Sequence, residues 1–122
     1  MNAPQAPAYH KRTSFDTELV EQADGFKALS HPARLALLLE LAQQGTCVCG
    51  ELVTALPLSQ ATVSRHLGSL LEAGLVTVMP QKTCSCYALS REGIELLQSL
   101  HQRFFIPLNQ SIVMNDCCGD CC

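Results

Sequence analysis

Eight of the 122 residues are cysteine. They fall into tight groups, Cys47 with Cys49, Cys84 with Cys86, and Cys117, Cys118, Cys121 and Cys122 close together. Thiols this dense serve either as disulfide staples of a secreted domain or as reduced thiolates for metal or redox work. Residues 1–14 have no apolar h-region and no cleavage-type pattern, so no secretory leader is expected. No window approaches ~18 uninterrupted apolar residues, so no membrane partner is expected. Apolar residues make up 48 % of the chain, enough for a core without staples. The expected setting is therefore cytoplasmic, with the cysteines mostly reduced.

The tail thiols have no apolar neighbours to pack with. Cys117/Cys121 and Cys118/Cys122 stand at i, i+4, so a helix or a loop can bring three sulfurs together. Soft thiolates favour As(III), Sb(III), Cu(I), Zn(II) or Cd(II) over hard ions. A pyramid of three sulfurs suits trivalent arsenic, and a tetrahedron of four suits zinc or cadmium. The alternative is a thiol-rich tail that only scavenges. Cys47 and Cys49 would lie about 200° apart on a helix. They can share an ion only where the first turn is distorted, and there the helix N-terminus lowers a thiol pKa. Otherwise they are two small buried hydrophobes. On a strand, Cys84 and Cys86 face one way, either as a ligand pair or as small residues that suit a half-buried sheet. His101 has no acid or histidine at i+3 or i+4, which argues against a zinc site of nitrogen and oxygen ligands on the last helix.

These groups need elements to hold them. Phe15, Leu19, Ala23 and Phe26 share a helical face, with Thr13 or Ser14 as the expected cap. Ser30 is expected to cap a helix over about 31–44 that has Pro32 in its first turn. That helix is apolar nearly all round, so it should be central and buried, and Gly45 should end it. A short helix is expected over 48–56 and a turn at 57–59. Ser59 then caps a helix to about Ala73, which Gly74 stops. Residues 75–79 and 83–89 read as a β-hairpin around 80–82. Ser90 caps a last helix with Ile94, Leu97, Leu100 and Phe104 on one side, and Pro107 kinks or ends it. The fold class is mainly α with a β-hairpin wing, a winged helix-turn-helix. The division is a mobile arm at 1–14, a domain at 15–106 and a cysteine-rich tail at 107–122.

The helix after Ser59 has two unlike faces. Val63, Leu67, Leu70 and Leu71 cluster on one. The other centres on Arg65, flanked by Ala61, Thr62, Ser64, Gly68 and Ser69, with no acid before Glu72. Small polar residues with one long donor let a helix enter a major groove. Ser59, Gln60 and Thr62 sit at the N-terminal end, which suits a phosphate. The plainer reading is a solvated polar face. His66, near the apolar boundary, reads as a packing or backbone-bonding histidine rather than a base reader.

The run Leu58-Ser59-Gln60-Ala61-Thr62-Val63-Ser64-Arg65-His66-Leu67, followed by Leu70-Leu71-Glu72-Ala73-Gly74-Leu75-Val76, resembles the recognition helix of the ArsR/SmtB family. Lys27 to Arg34 resembles the family's second-helix entry, and Tyr87-x-Leu89 the end of its wing. The resemblance covers roughly residues 17–100 in the same order. It implies a homodimer built from the first and last helices, bound to twofold-symmetric operator DNA and released by a metal, metalloid or oxidant. Double-stranded DNA would then meet Ser59, Gln60, Ala61, Thr62, Ser64, Arg65 and Ser69 on the helix and Lys82 on the wing. Arg34, and Lys11 and Arg12 on the arm, would add charge locally despite a net charge of −3. Gly45 to Leu52 resembles the family's arsenic-sensing box: Cys47 and Cys49 match, but Leu52 and Val53 stand where its third cysteine belongs. The cysteines at 84 and 86 are a departure from the family.

The expected function is a repressor that releases its operator when As(III) or Sb(III) binds cysteine thiolates, with Zn(II), Cd(II) or Cu(I) as other effectors. The metal ligands would come from the four tail cysteines with Cys47 and Cys49, with Cys84 and Cys86 as further candidates. A thiol redox or persulfide sensor of the same fold is a second reading. A thiol-rich metal-binding protein or small disulfide oxidoreductase without DNA binding is a third. It leaves the 59–73 helix unexplained, and the chain lacks the βαβ context for Cys-x-x-Cys chemistry. With no nucleophile–base pair at informative spacing and no Gly-rich phosphate loop, no enzymatic activity is expected.

Overall fold

In the computed structural model residues 14–115 are described, with the side chains of Cys47, Val48 and Asn115 excepted. The arm, apart from Ser14, and the tail cysteines Cys117, Cys118, Cys121 and Cys122 lie outside these residues. The elements run α1 (Thr17–Ala28), α2 (Pro32–Gln44), β1 (Thr46–Val48), α3 (Cys49–Ala55), α4 (Gln60–Glu72), β2 (Val76–Pro80), β3 (Ser85–Leu89) and α5 (Arg91–Asn115).

Two expected caps move by a residue or more. Asp16, not Thr13 or Ser14, caps α1: its carboxylate accepts from the Glu18 N–H at 3.2 Å. His31, not Ser30, caps α2, with Nδ1 accepting from the Ala33 N–H at 3.0 Å. Ser30 Oγ instead donates back to the Lys27 carbonyl at the end of α1. Gly45 ends α2 at φ +87° and Gly74 follows α4 at φ +79°, both in the left-handed region that suits glycine.

The hairpin is one edge of a three-stranded sheet in the order β1-β3-β2. β1 was not expected, because 48–56 reads as helix from its start. Three residues make too short a run to show a period. The strand forms by antiparallel pairing with β3, Cys47 opposite Tyr87 and Val48 opposite Cys86. β3 begins at Ser85 rather than Thr83, because Gln81 to Cys84 close the connection, with the Gln81 N–H donating to the Cys84 carbonyl at 2.7 Å.

Leu37 and Leu41 of α2, Leu52 of α3, Val63, Leu67 and Leu70 of α4, and Leu75 and Val76 at β2 form one buried cluster. α2 is central, as its apolar content implies, but not buried all round: Leu39 is 71 % exposed and Leu35 45 %. The sheet and α4 cover one side of it, and among the described residues no element covers Leu35 and Leu39. α5 packs on α1. Phe26 stacks on the His101 ring at 3.8 Å and meets Phe104 and Phe105 edge-on. Gln22 Nε2 donates to the Leu100 carbonyl at 3.1 Å. Pro107 does not end α5, which runs on to Asn115 beyond the expected boundary at 106. Proline's φ is already helical, so the loss is chiefly one bond, to the Arg103 carbonyl, and crowding of the preceding turn. Among the described residues no helix is long and apolar enough to cross a membrane.

The first turn of α5 sits directly on the Gly74 turn. Ser90 Oγ accepts from the Gly93 N–H at 3.1 Å, and a Cβ at Gly93 would run into the Gly74 carbonyl. Alanine is favoured over glycine in a helix by about 1 kcal/mol, yet Gly93→Ala should destabilise the protein. A lower urea midpoint checks this, and a raised midpoint would show that the close approach is absent.

Candidate functional site

α4 has the amphipathicity its sequence suggests. Val63, His66, Leu67 and Leu70 are buried, while Gln60, Ala61, Ser64, Arg65 and Gly68 are exposed. Ser59 lies in extended backbone, and its Oγ accepts from the Thr62 N–H at 3.2 Å and donates to Thr62 Oγ1 at 2.9 Å. By helix geometry the N–H groups of Gln60 and Ala61 point out of the helix end. The exposed face carries no carboxylate until Glu72 in the last turn, and nothing lies within 4 Å of a Cβ built at Gly68. Arg65 is therefore the long donor of a low, open surface. Lys82 is exposed in the hairpin connection. Ser69, at the far end of the expected reading face, is instead engaged inside the fold: its Oγ accepts from Arg34 and donates to the Arg65 carbonyl, each at 3.4 Å.

Arg34 is not the free basic group that the sequence suggests. Its Nη1 donates to the Lys27 and Ala28 carbonyls at 3.2 and 3.3 Å, and its Nε to His66 Nδ1 at 3.3 Å. A cation at the C-terminal carbonyls of α1 is favourably placed in the helix dipole. The guanidinium thereby joins α1, α2 and α4 at one point. His66 lies against His31, ring centroids 4.4 Å apart. Burial, and then the positive fields of His31, Arg34 and Arg65, hold its pKa below the ordinary histidine value. The ring stays neutral, so Nδ1 can accept from Arg34. Sequence reasoning placed His66 correctly as a packing residue but missed its partner, 32 positions away in the chain.

The sheet brings two cysteine groups side by side. Cys47 lies on β1, Cys49 opens α3 and is half-buried against the core, and Cys86 lies on β3 opposite Val48. Cys49, Cys84 and Cys86 are free thiols, with Cys84 exposed and Cys86 half-buried. Cys47 stands opposite Tyr87, one step out of register with Cys86. Cys84 was expected within the strand. It lies in the hairpin connection, yet keeps its place two residues before Cys86. Among the described residues no three His, Cys, Asp or Glu side chains come together as a metal site. His101 has its ring on Phe26, and its Nε2 is buried without a hydrogen-bond partner.

Residues 29–78, which span α2 to β2, match the family described as a helix-turn-helix domain. The biofilm growth-associated repressor of Agrobacterium fabrum is 37 % identical over 102 residues, 83 % of this chain and 81 % of that one. The arsenical resistance operon repressor of Bacillus subtilis is 41 % identical over 75 residues, 61 % and 70 % of the two chains. The solution structure of a homodimeric winged helix-turn-helix DNA-binding domain from Mycobacterium bovis, a possible ArsR-family regulator, superposes with a TM-score of 0.56 at 26 % identity, covering 85 % of this chain and 87 % of that one.

The lowered His66 pKa sets a sign for the pH dependence of stability. The neutral ring is the form the fold holds, so its contribution is complete above the unfolded histidine value of about 6.5 and is lost as pH falls through the lower folded value. The urea midpoint should fall on acidification below about pH 6.5. His66→Asn, which keeps an acceptor and does not titrate, should remove that part of the slope. Superimposable pH profiles for the two proteins would exclude this role.

Proposed function

The chain belongs to the ArsR/SmtB family of winged-helix transcriptional regulators, and from that membership we propose that it is a homodimeric repressor. It binds operator DNA when metal-free and releases it when a thiophilic metalloid, As(III) or Sb(III), is held by cysteine thiolates. The observation that carries the DNA reading is the exposed face of α4, free of acids from Gln60 through Leu71. There Gln60, Ala61, Ser64 and Arg65 reach base edges, the Ser59–Thr62 end of the helix meets a phosphate, and Lys82 on the wing meets the backbone. Ser69 drops out of this set because Arg34 already holds it.

The dimer reading rests on apolar surface that one chain leaves uncovered. Phe15 and Leu19 near the start of α1, with Leu96, Ile106, Ile112 and Val113 along α5, are each 48 % exposed or more. A patch of this kind marks an association surface, and a twofold dimer would place two α4 helices on successive turns of the groove.

The effector reading rests on the donors. Cys47 and Cys49 straddle the strand–helix junction ahead of α4. Thiolates drawn together there would pull on the first helix of the helix-turn-helix. Two sulfurs leave trivalent arsenic one bond short, and Cys117, Cys118, Cys121 and Cys122 supply the remainder. Hundredfold release requires that the ion bind the free form more tightly by about 2.7 kcal/mol, within the scale of metal–thiolate binding.

Two sets of variants test this. Arg65→Ala should weaken operator binding by 10- to 100-fold, about 1–3 kcal/mol for a lost base contact, and leave arsenite binding intact. Serine at all four tail positions, or at 47 and 49, should leave operator binding intact and blunt release by arsenite. Unchanged release in both cysteine variants would rule out the proposed ligands. Release by peroxide or polysulfide, with none by arsenite, would favour the redox reading.

A further inference from the structure

The wing carries a feature that the arsenic reading does not use. Cys86 stands directly opposite Met79 in the β2–β3 ladder, and Pro80 opposite Ser85. The ladder closes with the Gln81 N–H on the Cys84 carbonyl. Directly opposed residues of an antiparallel pair share a face, with Cβ atoms about 4.5–5.5 Å apart, and residues two apart on a strand do the same. Met79 and Cys86 therefore lie on one face of the hairpin, and Cys84 stands two residues before Cys86 in the connection, held to Gln81 where the ladder closes. Met79 is 66 % exposed, which is far from the usual place of a methionine. Cys84 is exposed and Cys86 half-buried, and both thiols are free.

The geometry points to a three-sulfur site for a soft monovalent cation, Cu(I) or Ag(I), formed by the thiolates of Cys84 and Cys86 and the thioether of Met79. The donor set selects the ion. Zinc takes four nitrogen, sulfur or oxygen donors in a tetrahedron, and no third His, Cys, Asp or Glu joins these thiols among the described residues. Trivalent arsenic needs three thiolates, and the hairpin has two. A thioether is a neutral, polarizable donor that adds little for harder ions and suits Cu(I). Binding breaks two S–H bonds and forms two metal–thiolate bonds and one metal–thioether bond. Two protons leave for solvent and the metal keeps its oxidation state. The filled site bears a formal charge of −1 where two neutral thiols stood, two residues from Lys82 in the sequence. Coulombic repulsion of a DNA phosphate follows, and this last consequence alone rests on the operator-binding reading above.

The test of binding needs no DNA. Reduced full-length protein labelled at the methionine methyl groups is titrated with Ag(I) and followed by NMR, with the Met79 signal assigned through Met79→Leu. The expected result is a shift of the Met79 methyl resonance that is lost in the Cys84→Ser/Cys86→Ser variant. A Met79 signal that does not move at saturating Ag(I), or that moves equally in the double variant, overturns the site. The wild-type titration stands by itself if a variant folds poorly. A second arm uses the full chain with serine at 47, 49, 117, 118, 121 and 122. Ag(I) should lower its operator affinity at least tenfold, and serine at 84 and 86 should abolish that effect. Operator affinity unchanged by Ag(I) overturns the coupling, whereas failure of the metal-free wild-type protein to bind operator at all would count against the DNA reading and leave the wing site standing.

Discussion

Arg34 sits where three helices meet, and the placement of the reading surface depends on how its five donors are used. Two α1 carbonyls, a neutral imidazole on α4 and a hydroxyl one turn further along α4 take up the guanidinium. An exposed arginine on a polar face would contribute little to stability. Here the planar fork reaches fixed acceptors on separate elements, which a lysine could not match. The arrangement requires His66 to stay neutral, and its burial together with the positive fields of His31, Arg34 and Arg65 favours that form. The core leucines bury another side of α4, and the Arg34 tie fixes its C-terminal half against α1 and α2. Arg65, one residue before the tied histidine, is thereby held pointing outward.

Much of this was legible in the sequence where the signal is local. The Ser59 cap, the apolar stripe of α4, the glycine stops at 45 and 74 and the hairpin all follow from side-chain period and φ preference. Features decided by distant partners were not legible. Arg34 reads as a free cation until its acceptors, brought close by the fold, are seen. Ser69 reads as part of the DNA face for the same reason. β1 owes its existence to β3 and carries too few residues to announce itself. His31 displaced Ser30 as the α2 cap because an imidazole nitrogen reaches the same N–H that a hydroxyl would, and cap preferences rank serine first. Pro107 does not end α5, since proline's φ is already helical and chiefly one ladder hydrogen bond is lost.

The cysteine groups take on different prospects once the sheet is in place. Cys47 and Cys49 flank the junction of β1 and α3, and Cys86 lies on the strand paired with β1. Two groups separated widely in sequence thus share one small sheet beside the DNA-reading helix. In the proposed reading, an ion that gathers thiolates on either side of that sheet acts on an element that meets DNA. This short mechanical path distinguishes an effector site here from a thiol cluster elsewhere on the surface. The exposed apolar surface of α1 and α5 lies apart from it, so pairing of two chains and sensing by either chain can proceed on different elements.

The central claim is that reduced, metal-free protein holds DNA and that a thiophilic metalloid releases it. Fluorescence anisotropy of a labelled duplex from the promoter upstream of the protein's own gene, titrated with reduced wild-type protein with and without arsenite, measures this directly. The account predicts tight binding of that duplex over a scrambled one and an affinity about 100-fold weaker with arsenite, about 2.7 kcal/mol of coupling. Equal affinity for the two duplexes, or a binding curve that arsenite leaves in place, would contradict it.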